Sequence, residues 1–251
     1  MVDWPLVLGG ALAIVPAFAI LFVSYGPYDG FFKDNILFLF FIGGILVGFV
    51  LAFFEFLLLR PRDPVYLVPM VLVGVPLVEQ MAKLVVLNRK KYRSEREATF
   101  YGGSFGLGVG VMAVLFHSQV DIRLTAYRDL GAIAADPGPL AYLGVVGVAV
   151  LLAQFATGLI VGDAVRRQVL RVPMVVAVGA LVPLQLLLFE FTAGLGAGRG
   201  SEGVLYLPLM VAYSAALAWW AHSKLLPQAL PPDAQRKRRR IKRAAQRSGE
   251  P

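Results

Sequence analysis

The segment GVPLVEQMAKLVVL, residues 74–87, is apolar enough to lie in lipid, yet it carries Glu79 and Lys83 four residues apart. On a helix, positions i and i+4 share one face, and acid before base is the favourable order for such a pair. Two chemistries fit this spacing. One is an internal ion pair, with Lys83 reaching toward the nearer membrane interface along its apolar stem. The other is a proton acceptor facing a wet cavity, with Lys83 setting its environment. Ionisable groups at bilayer depth cost several kcal/mol unless paired, so each one is a candidate for function. Glu55 and Glu190 are the other ionisable candidates inside apolar runs, with Gln80, Gln154 and Gln185 as neutral company. Glu79 and Gln154 each fall about fifteen residues into runs expected to point the same way, which puts them at one depth at 1.5 Å per residue. Glu55 and Glu190 fall near run ends, where an acid reaches the headgroup layer.

The elements that hold these residues follow from composition. In 251 residues, 58% are hydrophobic and 16% charged, with a mean hydropathy of +0.70; a soluble globule of this make-up would expose far too much apolar surface. There is no cysteine, which excludes disulfides, thiolate metal sites and cysteine nucleophiles. Runs of about 20 apolar residues, the length that crosses a bilayer, occur at 5–25, 35–59, 64–87, 99–118, 139–163, 172–193 and 203–225. They lack the alternation of a membrane β-barrel. The expectation is an all-α polytopic bundle of about seven spans over residues 1–228, followed by a basic tail at 229–251.

Loop charges orient the bundle. The stretches NRKKYRSERE after span 3 and RRQVLR after span 5, together with the tail, fall on one side of a seven-span chain. That side is assigned to the cytoplasm, with the N-terminus outside and the C-terminus inside. Arg60 and Arg62 fall on the other side and run against the rule. The first span is preceded by MVDW alone, with no basic residue and no cleavage motif, so no cleaved leader is expected. In the tail, Arg236, Lys237, Arg238, Arg239, Arg240, Lys242 and Arg243 suit anionic lipid headgroups, at about 1 kcal/mol per basic residue near the surface. No nucleic acid partner is expected for a tail that follows a membrane span.

Glycine spacing suggests how the spans meet. Gly102, Gly106 and Gly110 line one face of span 4, and Gly44/Gly48 and Gly158/Gly162 repeat the four-residue interval. Such stripes let helices approach closely, or, at Gly106 and Gly110, leave room for a bound backbone. GLGVGVMA lacks the preceding strand of a dinucleotide fingerprint.

With these residues set out, VPLVEQMAKLVV resembles the first motif of the PrsW-type intramembrane proteases, relatives of the CAAX-processing membrane proteases: Pro76, Glu79 and Lys83 match, and Gln80 stands in place of a second glutamate. The resemblance spans about residues 70 to 195. It implies a Glu-based site, with Glu79 and Lys83 as catalytic candidates and Gln80, Gln154 and Glu190 as helpers. Further motifs are eroded: Leu115 and Phe116 occupy the positions of an acid and an amide, and Gln154 that of a histidine. The two histidines, His117 and His222, fall at opposite ends of their spans and cannot share a site, so neither a metal nor another cofactor is expected. Asp163, beside Arg166 and Arg167, reads as an interface charge. The first expectation is a PrsW-like binding or scaffolding homologue that engages a membrane-protein partner or peptide. The alternatives are an active intramembrane endopeptidase using Glu79, and a transporter or channel lined by the intramembrane charges.

Overall fold

The computed structural model of the protein describes residues 4–58, 69–93, 95–124, 138–196 and 206–236, with Glu55, His117 and Glu190 placed by backbone alone. The described residues form helices and connecting turns, with no strand among them. Seven long helices stand at the seven expected positions: α1 (Trp4–Tyr25), α2 (Asp34–Leu58), α3 (Val75–Leu87), α4 (Ala98–Leu124), α5 (Gly138–Arg167), α6 (Arg171–Gly196) and α7 (Tyr206–Ala229). Five of them, α1, α2, α4, α5 and α6, are long and apolar enough to cross a membrane. The other two fall short for separate reasons. Among the described residues α3 has 13 residues, about 20 Å at 1.5 Å per residue, preceded by Pro69 and a five-residue π-turn, Met70–Gly74. α7 has the length but is diluted by Ser214, His222, Ser223 and Lys224.

α4 and α5 form the centre, and the remaining helices surround them. About 78% of the apolar window of each central helix is buried, against 22–33% for α1, α2 and α6. The glycines explain how two helices come to share the middle. α4 and α5 run antiparallel, with Gly102 against Gly158 and Gly162, and Gly106 against Gln154 and Gly158. A Cβ at Gly106 would run into the carbonyl oxygen of Gln154, and one at Gly158 into that of Gly102. On the other side of α4, Gly44 and Gly108 bring α2 to the same backbone distance, in parallel orientation. Without an apolar-versus-water driving force inside lipid, such contact is what helix association rests on.

Hydroxyl groups fasten neighbouring helices to one another through backbone carbonyls. Tyr25 donates to Phe100 O (2.7 Å), Ser104 to Leu37 O (2.8 Å) and Tyr213 to Ala180 O (2.7 Å), joining α1 to α4, α4 to α2, and α7 to α6. The outer surface is apolar: Leu39, Ile42, Leu46 and Phe49 on α2, and Val172, Val175 and Leu186 on α6, are all exposed.

One end of the bundle collects the basic connections. Arg93, in the turn after α3, donates to Gln168 at the end of α5 (2.5 Å), while Arg166 and Arg167 reach Gln228 at the end of α7. His222 of α7 meets Ser24 O of α1 at 3.1 Å. The carboxy-terminal ends of α1, α3, α5 and α7 therefore share this end. Arg60, Arg62 and the tail from Lys237 onward, with Arg238, Arg239, Arg240, Lys242 and Arg243, lie outside the described residues; Arg236 is exposed at the basic end.

Candidate functional site: a buried ion pair beside a lateral groove

α3 is amphipathic in the inverse sense. Leu77, Val78, Met81 and Val85 face out of the bundle, and Pro76, Glu79, Gln80, Lys83 and Leu87 face in. In water this helix would be inside out; in lipid its apolar face is solvated and its polar face is sheltered. Its approach is set by the π-turn, in which Val75 N–H bonds Met70 O. Pro76 has no N–H and cannot continue regular α-helical bonding, and the wider turn absorbs that break while rotating the faces before and after it.

Lys83 is fully buried. Its ammonium lies 3.1 Å from Glu79 Oε1, and it donates to Gln154 Oε1 (2.5 Å) and to Thr157 Oγ1 (3.0 Å). An ammonium has three donors, and here three acceptors stand around it. Thr157 in turn donates to the carbonyl of Gln154 one turn earlier (3.2 Å). The structure thus brings Glu79, Lys83 and Gln154 together near the middle of α5, with Thr157 as a fourth member. Nothing in the sequence singles Thr157 out, since a threonine inside a span is ordinary and only the rotation of α5 aims it at Lys83.

Glu79 is less completely engaged. Oε1 receives no well-aligned hydrogen bond even from Lys83, so the contact is chiefly electrostatic. The carboxylate lines a cavity of about 150 Å³ between α2, the π-turn with α3, and α4, whose other walls include Gly48, Ala52, Gly74, Val109 and Ala113. Phe54 and Val78, on its rim, are exposed on the side of the bundle. The groove opens laterally, and the residual 7% exposure of the Glu79 side chain lies on its wall.

The other expected site residues are placed differently. Gln80 is fully buried, and both of its amide atoms lack a hydrogen-bond partner among the described residues. Gly106 and Gly110 do not border an open site: α5 covers both, through the backbone and side chain of Gln154. Their spacing serves helix packing, and the room expected there for a bound backbone is filled. The side chain of Glu190 lies outside the described residues, as do those of Glu55 and His117. His222 sits at the basic end, edge-on to Tyr28 at 5.9 Å. Asp163 is buried near the basic end, paired with Arg166 and with Arg167 (2.7 Å). Among the described residues no three of His, Cys, Asp and Glu gather as metal ligands would.

Comparison with protein-family models, curated proteins and solved structures gives no match. Chemically, the site offers an acceptor on an apolar wall, paired with a buried cation that also bonds Gln154 and Thr157.

Proposed function

We propose that this chain is a multi-pass membrane protein of PrsW-like character whose Glu79 groove binds a hydrophobic partner without hydrolysing it. The observation that carries this reading is the setting of Lys83, hydrogen-bonded to Gln154 and Thr157 and ion-paired with Glu79, which holds the carboxylate as a fixed acceptor beside a laterally open apolar groove. General acid–base hydrolysis asks for a second group positioned to take or return a proton, and the buried ammonium is held by Gln154, Thr157 and the charge of Glu79. In this reading all seven helices span the bilayer, the basic end faces the cytoplasm in keeping with its Lys and Arg, and the N-terminus lies outside. The tail holds that end to anionic lipids.

An endopeptidase that uses Glu79 is the second reading, favoured by the incompletely engaged carboxylate on the groove wall. The two separate in one comparison: membrane peptides are profiled by mass spectrometry from cells expressing the wild type or Glu79→Gln. The binding reading expects the same set of cleavage products from both. A product formed by the wild type and lost with Glu79→Gln would replace it with the endopeptidase reading.

A further inference from the structure

The geometry points to one occupant for the groove: a membrane-spanning helix of another protein that presents a hydroxyl or primary-amide side chain (Ser, Thr or Asn) at mid-bilayer, donating to Glu79. This rests on the binding reading above and specifies the partner's chemistry. Three observations converge on it.

The first is charge. Glu79 and Lys83 cancel one another at 3.1 Å, so a cationic ligand would leave an excess charge in the hydrocarbon, and an anionic one would be repelled by the carboxylate. A neutral donor remains. A carboxylate has about four acceptor sites; Oε1 is buried against Lys83, so it is the other carboxylate oxygen, on the groove side of Glu79, that has capacity for a donor.

The second is depth. Lys83 bonds Gln154, which lies near the centre of the 30-residue α5, and Glu79 is one turn away. Lipid headgroups and lipid hydroxyls sit roughly 15 Å off, half the thickness of the hydrocarbon, and acyl chains carry no donor at this level. A helix side chain does.

The third is shape. An apolar cavity near 150 Å³ stays dry and accepts a group about the size of benzene, which suits one apolar side chain of a docked helix placed a turn from the donor. The walls at Ala52, Gly74 and Ala113 are small, so a helix backbone can come close; the bare face of Gly48 is already taken by Val109 and Met112 of α4. Small walls alone would not define a site. What distinguishes this groove is the carboxylate in its wall, 6% exposed.

The test uses the full chain in phosphatidylcholine vesicles. The chain has no cysteine of its own, so a dye is attached through Lys90→Cys. The probes are labelled poly-leucine helices of about 20 residues with a central Ser or a central Ala, and energy transfer reports binding. The Ser helix is expected to bind roughly three- to thirtyfold tighter than the Ala helix, the range of interhelical hydrogen bonds in membranes. This preference disappears in Glu79→Leu/Lys83→Met, which replaces the pair by apolar side chains, and Ala52→Leu, which fills the groove, weakens both probes.

Equal binding of the two helices to the wild type, a preference that survives in the double variant, or an Ala52→Leu protein that binds the Ser helix undiminished would each overturn the proposal. Ala52→Leu leaves the ion pair in place, so it decides the matter even if the double variant fails to fold. A lipid occupant is read separately: if brominated acyl chains quench Val78→Trp and saturating Ser helix does not relieve the quenching, the helix assignment falls while the groove remains a binding site. Cleavage of the Ser helix that depends on Glu79 would overturn the binding reading itself.

Discussion

Two charge clusters in this molecule use the same chemistry at different depths. At the bundle's middle, Lys83 meets Glu79, Gln154 and Thr157 with no exposed surface on the lysine. At the basic end, Asp163 meets Arg166 and Arg167, which also reach Gln228, and Arg167 is 45% exposed at its side chain. In the end cluster Asp163 is also buried, but Arg167 shares its charge with solvent and Asp163 has two cations, so the loss of Arg167 leaves the acid paired. The central cluster has nothing else to turn to. Burial alone does not make it a stabilising device, because the desolvation of two charges offsets much of their attraction; it makes the cluster intolerant of being half removed.

The sharpest way to break the comparison is Lys83→Met. Glu79 would be left as an uncompensated buried charge, and a loss of about 3–5 kcal/mol is expected, read as a large drop in unfolding temperature in detergent. Glu79→Leu added to it should restore most of the loss, since apolar replacement of a whole buried pair is often neutral or better. If the single variant is as stable as the wild type, the site is wetter than its burial implies.

Gly158→Ala tests the scaffold that holds the centre closed. Its Cβ would strike the carbonyl of Gly102 on α4, and overpacking of this kind costs about 1–3 kcal/mol, again seen in thermal unfolding. Gln154→Leu removes one acceptor from Lys83 and leaves Glu79 and Thr157; a cost of about 2 kcal/mol is expected. At the basic end, Arg167→Ala should cost no more than about 1 kcal/mol, and the difference from wild type should shrink further in high salt. A cost there equal to that of Gln154→Leu would erase the distinction between the two depths.

Much of the central cluster is legible in the sequence. Glu79 and Lys83 announce themselves by their four-residue interval inside an apolar run, and counting residues from the ends of two spans puts Gln154 at the level of Glu79. Most helix boundaries follow the hydropathy to within a few residues, but α4 runs on to Leu124 past the expected end at 118, and α3 begins at Val75, behind a π-turn, in a run that starts at 64. Thr157 escapes because its role depends on how α5 is rotated, which counting does not give. The groove escapes for a related reason: Gly48, Gly74 and Ala113 come from three separate helices and carry no polar signature. Gly106 and Gly110 show the reverse case, a spacing that is plain in the sequence but compatible with an open site or a closed contact until the partner helix is seen. The span count is where composition misleads most easily, because among the described residues α3 is a 13-residue helix entered through a π-turn and α7 is diluted by polar residues, although both take part in the bundle.

The inverted face of α3 has a consequence for how the protein is made. Lys83 leaves the ribosome 71 residues ahead of Gln154, so the nascent chain reaches the membrane with its most polar helix long before the acceptors that complete its shelter exist. α3 must wait beside the insertion machinery, or partly outside the bilayer, until α5 arrives. A chain truncated between the two would be a natural target for membrane quality control.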